Sequence, residues 1–126
     1  MCGIVGLHLR TPELQPRLGE LLARMLGEMQ DRGADSAGIA VYGNDAWSPA
    51  GHGCVSVLDV EATPAEAVAA LTGAVGQTIE AKLVDETLVI SAPVASEELL
   101  AVVKATYPNA LIAGFGTDLT VLKGVG

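Results

Sequence analysis

Thr87-Leu88-Val89-Ile90-Ser91 is the clearest strand signal in the second half of the chain, and the elements on either side of it decide the fold. Just before it, Thr78-Ile79-Glu80-Ala81-Lys82-Leu83 reads as a second strand, with Val84-Asp85-Glu86 as the turn between the two. Earlier still, Thr63-Pro64-Ala65-Glu66 is a capping box that opens a helix with Val68, Leu71 and Val75 on its apolar side. Val55-Ser56-Val57-Leu58-Asp59-Val60 alternates as a half-buried strand does. On the far side, Ser96-Glu97-Glu98 starts a helix with Leu99, Leu100, Val102 and Val103 inward, stopped by Pro108. Ala110 to Phe115 and Leu119 to Leu122 supply one or two closing strands. The order β-α-β-β-α-β predicts a small ferredoxin-like unit over residues 54–126. Lys82, Lys104 and Lys123 are scattered through it and form no catalytic constellation. Gly114-Phe115-Gly116 is expected to make a turn rather than cradle a phosphate.

Residues 1–53 have a different character. Ile4 to Leu9 is expected to be a short buried strand, and Thr11-Pro12-Glu13 a turn. Pro16 suits the first turn of a helix, where its missing N–H is no loss. From there Leu18, Leu21, Leu22, Met25, Leu26 and Met29 repeat at three- and four-residue steps, which predicts an amphipathic core helix ending near Gln30. Arg17, Glu20, Arg24 and Glu28 fall on its other side. Arg32-Gly33-Ala34-Asp35-Ser36 connects that helix to a second buried strand, Ile39 to Tyr42. Gly33 suits the left-handed residue that ends a helix, and Asp35 and Ser36 suit local backbone hydrogen bonds. Gly43 to Gly53 is a weakly patterned loop containing Trp47, Pro49 and His52.

The chemistry lies at the start, in Met1-Cys2-Gly3-Ile4-Val5-Gly6. Once Met1 is removed, which a small second residue permits, Cys2 carries both a thiol and a free α-amine. The thiol is a nucleophile and the amine a built-in base, since α-amines titrate near ~7.7–8.0 rather than near ~10.4 as lysine does. Two cysteines, Cys2 and Cys54, give no disulfide framework, and two distant histidines, His8 and His52, suggest no metal site.

Taken together, Met1-Cys2-Gly3-Ile4-Val5-Gly6 and Arg32-Gly33-Ala34-Asp35-Ser36-Ala37-Gly38 resemble the start of a class-II glutamine amidotransferase, an N-terminal-nucleophile hydrolase. Within that family the chain is most similar to the amidotransferase-like subunit of glutamate synthase-related complexes, the kind associated with N-methylglutamate synthase. The motif resemblance covers roughly residues 1–43. It implies that Cys2 is the catalytic nucleophile and that Gly3, Arg32, Gly33, Asp35 and Ser36 support the substrate pocket. It also implies glutamine as substrate and synthase subunits as partners. Any flavin or iron–sulfur cofactor would then sit in a partner, with none in this chain. The expected fold class is α+β: part of an N-terminal-nucleophile hydrolase layer over residues 1–53, then the ferredoxin-like unit over 54–126.

Composition narrows the classes. The chain has 126 residues, enough for one ordinary domain or two small ones. Its net charge of −8 argues against nucleic acid or an anionic membrane as partner. Hydrophobic residues make up 50% and aromatics only 3%, so the core is expected to be aliphatic. No apolar run approaches the ~20 residues that span a bilayer, and no basic stretch leads into a signal-like segment. The expected location is cytoplasmic.

The sequence departs from the family's pattern in two ways. A guanidinium is needed to hold the glutamine α-carboxylate, yet the arginines are Arg10, Arg17, Arg24 and Arg32, with none later. Oxyanion donors are usually an Asn-Gly pair in this family, and the chain has no such dipeptide. The expectation is therefore the N-terminal part of a longer protein, or a shortened relative, inactive by itself and prone to self-association. Two functions follow: a glutamine-hydrolysing subunit, or a non-catalytic assembly or ligand-sensing module.

Overall fold

The computed structural model describes residues 2–32 and 35–125. The chain forms two compact units, one over residues 1–37 with 125–126 and one over residues 38–124.

In the first unit, residues 2–10 have no regular secondary structure and Ile4 is 91% exposed. The buried strand expected over Ile4–Leu9 is thus not formed. A strand persists only where a neighbour takes its backbone N–H and C=O groups, and neither sheet includes this run. Pro12–Arg17 winds as a 3-10 helix, followed by α1 over Leu18–Gly27 and a second 3-10 turn over Gln30–Arg32. Pro16 lies in the 3-10 lead-in rather than in the first turn of α1. The apolar stripe from Leu18 to Met29 is the less exposed side of the helix, but none of α1 is fully buried. It is a half-covered amphipathic helix, not the core helix expected. On its polar side Glu20 pairs with Arg17 at 3.2 Å and with Arg24 at 2.8 Å.

The second unit contains six strands and two helices. They are β1 (Ser36–Tyr42, which begins in the first unit), β2 (Gly53–Leu58), α2 (Pro64–Val75), β3 (Glu80–Val84), β4 (Thr87–Ala92), α3 (Ser96–Thr106), β5 (Leu111–Thr117) and β6 (Leu119–Val125). Four strands form one antiparallel sheet in the order β3-β4-β2-β5. β4 thus sits between β2 and β3, the two strands that α2 connects. This is the split β-α-β arrangement of the ferredoxin-like unit, as expected. β1 and β6 form a separate two-stranded ribbon. β1 is mostly exposed, with Tyr42 at 74%, so the burial expected for Ile39–Tyr42 does not hold.

Local chemistry sets the element ends. Thr63 and Glu66 exchange the two capping-box hydrogen bonds, at 2.9 and 3.2 Å, and Pro64 occupies the first helical turn. Gly76 closes α2 in the left-handed conformation at φ 75°. Asp85, at φ 53°, turns β3 into β4. α3 stops at Thr106, before Pro108.

Both helices pack on one face of the sheet. Val55 and Val57 of β2 and Leu88, Ile90 and Ala92 of β4 meet Ala67 and Leu71 of α2 and Leu99 and Val103 of α3. The alternation of 55–60 predicts a half-buried strand, yet every residue of β2 and of β4 is buried. The cause is a cover on the second face, which carries Cys54, Ser56, Thr87, Val89 and Ser91. Thr87 Oγ1 donates to the Lys123 carbonyl at 3.1 Å and accepts from the Lys123 N–H at 3.0 Å, which fixes β6 there. Lys82 Nζ reaches from the same face to the Ala46 carbonyl. Gly114-Phe115-Gly116 is neither a turn nor a cradle: it lies inside β5. A Cβ on Gly114 would come within 2.6 Å of Val121 Cγ2, and one on Gly116 within 2.8 Å of Leu119 Cδ2. The glycines let β6 cross close over the sheet. Asp118, at φ 54°, makes that reversal. Its carbonyl accepts from Gly43 N–H at 2.9 Å, and its Oδ1 accepts from Gly51 N–H at 2.7 Å.

Candidate functional site

The site begins with the turn that ends α1. Met29 N–H donates to the Leu26 carbonyl and Arg32 N–H to the Met29 carbonyl, both at 2.9 Å. These i, i+3 bonds tighten the helix exit into a 3-10 turn. In such a turn residues three apart eclipse, so Met29 and Arg32 share a side.

Gly3 sits against that side. A Cβ placed on it would lie 3.0 Å from Met29 Sδ, 3.4 Å from Arg32 Cβ and 3.5 Å from Met29 Cβ. Glycine lets the backbone beside Cys2 rest this closely on the turn with no neighbour displaced. Two of the expected pocket residues, Gly3 and Arg32, are therefore neighbours, although 29 positions separate them.

Cys2 is a free, exposed cysteine. Arg32 is exposed at the end of the turn, Asp35 is exposed on the bend that follows, and Ser36 is the exposed first residue of β1. Gly33, expected as the left-handed cap of the helix and as a pocket residue, lies outside the described residues. Two other arginines are engaged elsewhere: Arg17 and Arg24 both pair with Glu20. Among the described residues no group of three or more His, Cys, Asp or Glu gathers as metal ligands do. No helix among them is long and apolar enough to cross a membrane.

Sequence reasoning did not single out Met29 for the site. It ends the apolar stripe of α1, and packing partners of a distant glycine leave no local signal. In the sequence, Cys54 offers no more than the lack of a disulfide framework. It is buried on β2, where its cross-strand neighbours are Ser91 and Gly116. Burial pushes its thiol pKa up, partly opposed by the hydroxyls of Thr120 and Ser48.

No protein-family model matches the chain, and no solved structure matches it significantly. Over 132 aligned residues, covering all of the chain, it is 36% identical to the glutamine amidotransferase-like protein GlxB of Rhizobium meliloti (strain 1021). The chain spans 42% of the length of that relative. It is thus similar, from end to end, to part of a glutamine amidotransferase-like protein, and this supports a glutamine amidotransferase-like family for it.

Proposed function

We propose that the chain is a subunit, or the N-terminal part, of a class-II amidotransferase that releases ammonia from glutamine at Cys2. The observation that carries the reading is the seat of Gly3 on Met29 and Arg32, which sets the residue after the nucleophile against the turn that opens the pocket motif. The similarity to a glutamine amidotransferase-like protein supports it independently.

In this mechanism the Cys2 α-amine takes the thiol proton as sulfur attacks the side-chain carbonyl carbon of glutamine. The tetrahedral intermediate collapses as the amine returns that proton to the leaving nitrogen, and ammonia departs. Water then hydrolyses the thioester, which frees glutamate and restores the thiol. The ammonia passes to a cytoplasmic synthase partner that holds any flavin or iron–sulfur group. Met1 must be removed first, because the base exists only as a free amine. A second reading, a non-catalytic assembly or ligand-sensing module, draws on the covered four-stranded sheet, the best-buried part of the described residues.

The test compares this chain with the longest form its reading frame allows. Intact mass checks Met1 removal, and ammonia release and trapping of Cys2 by a glutamine-like electrophile are then measured. The longer form should turn over and lose activity on Cys2→Ala. The 126-residue form should be slower by at least ~10²–10³, the worth of oxyanion donors. Undiminished turnover after Cys2→Ala, or Met1 retained in active protein, would sink the mechanism.

A further inference from the structure

The most deeply buried polar groups among the described residues lie on the second face of the sheet. Ser48 is 1% exposed, Cys54 1% and Thr120 0%. Each comes from a different element. Ser48 belongs to a turn in which its N–H donates to the Asn44 carbonyl at 2.8 Å. Cys54 is on β2, flanked by Ser91 and by Gly116. Thr120 follows Leu119, the residue that passes over Gly116.

Neither Ser48 Oγ nor Thr120 Oγ1 has a partner in hydrogen-bond geometry, although both hydroxyls lie near the Cys54 thiol. His52, whose buried Nδ1 is also without a partner, stands in the chain between Ser48 and Cys54. An unpaired buried hydroxyl is destabilising, and two at one point call for a shared partner. The thiol is a weak donor and a weak acceptor and does not satisfy them. A neutral thiol among hydroxyls offers nothing to hold a metal ion or an anion. The ligand that fits is small, uncharged, and both donor and acceptor. A water molecule meets all three conditions and typically takes two to four such bonds when buried.

We propose that Ser48, Thr120 and the Cys54 thiol enclose one structural water, which joins the 44–48 turn and β6 to the sheet. The water bridges the two hydroxyls and uses the thiol as its weakest contact. It stands apart from the glutaminase reading, so neither depends on the other.

The full 126-residue chain carries the test, in Ser48→Ala, Thr120→Val and the double variant. With the water present, each single substitution removes one of its anchors. Each should lower the melting temperature by about 3–6 °C, the shift that a single lost buried hydrogen bond gives at this size. The double variant should fall by less than the sum, because the second change no longer strands a bound water. If the hydroxyls are dry and unpaired, removing either one raises the melting temperature, and the proposal fails. A crystal structure of the unsubstituted protein near 1.5 Å resolution provides the second measurement, independent of whether the variants fold. Density within about 3.2 Å of both oxygens is expected. A direct Ser48–Thr120 hydrogen bond, or no density there, would overturn the assignment.

Discussion

Burial raises the Cys54 thiol pKa, so the folded chain holds it neutral at a pH where an unfolded chain begins to ionise it. Ordinary thiols titrate near ~8.5. A raised folded-state value gives stability that is fully present below the unfolded pKa and is lost as pH rises through it toward the folded value. Melting temperatures between about pH 7 and 10 should fall more steeply in the natural chain than in Cys54→Ala; parallel slopes would show that the thiol ionises freely in the fold. A thiol reagent should label exposed Cys2 at once and Cys54 only on unfolding. Gly3→Ala tests the other cysteine's surroundings. The new Cβ meets the Met29 thioether at 3.0 Å, and that flexible side chain can yield, so melting should change little. Making room takes a few tenths of an ångström, and whatever part of it Met29 does not yield falls on the backbone next to Cys2. Since ~1 Å of misplacement is worth about 10² in rate, trapping of Cys2 by a glutamine-like electrophile should slow about tenfold. An unchanged rate would show that the seat of Gly3 does not position the Cys2 thiol. The quoted motifs made Cys2, Gly3 and Arg32 legible in the sequence. Met29 was legible only as an apolar position, because a helix pattern says which side is covered and not what covers it.

Capping boxes, helix stripes and strand runs are local, and the elements they announce are present: α1, α2, α3 and the four strands of the large sheet. What failed were statements about burial and neighbours. Cys54 and Ser56 alternate with Val55 and Val57, which reads as one wet face, but β6 and the 44–48 turn dry that face. Glycines inside a strand were the available sign of close backbone approach, and Gly114 and Gly116 carry that role. Gly114→Ala and Gly116→Ala should each destabilise the chain by about 1–3 kcal/mol in urea unfolding, the usual range for overpacking. Gly114→Ala should regain part of that loss when Val121 is also cut to Ala. A neutral Gly114→Ala would show that β6 does not press on the sheet there. Thr63→Ala, which removes half of the capping box, should lower stability by about 1 kcal/mol. A capped helix supported mainly by its packing would show no change.

Residues 54–126 contain both helices on the sheet, all of β3, β4 and β5, and β2 from its second residue. Expressed alone, they should give dispersed amide shifts and cooperative melting. They should melt lower than residues 38–126, which add most of β1 and the Ser48 turn. A random-coil spectrum for the shorter piece would place the ribbon and the loop within the cooperative unit. The β-α-β-β-α-β order, and with it the sheet topology, was legible because each crossover was announced by its own helix. The partnership of β1 with β6 was not, since strands so far apart in sequence leave no turn or register signal between them. That partnership also sets a timetable for synthesis. At about 5–20 residues per second, several seconds pass between the appearance of β1 and that of β6. Throughout that interval Ser36–Tyr42 is an unsatisfied strand edge on a nascent chain, because its pairing is non-local. A chaperone, or a neighbouring chain on the same message, meets this strand before its own partner does.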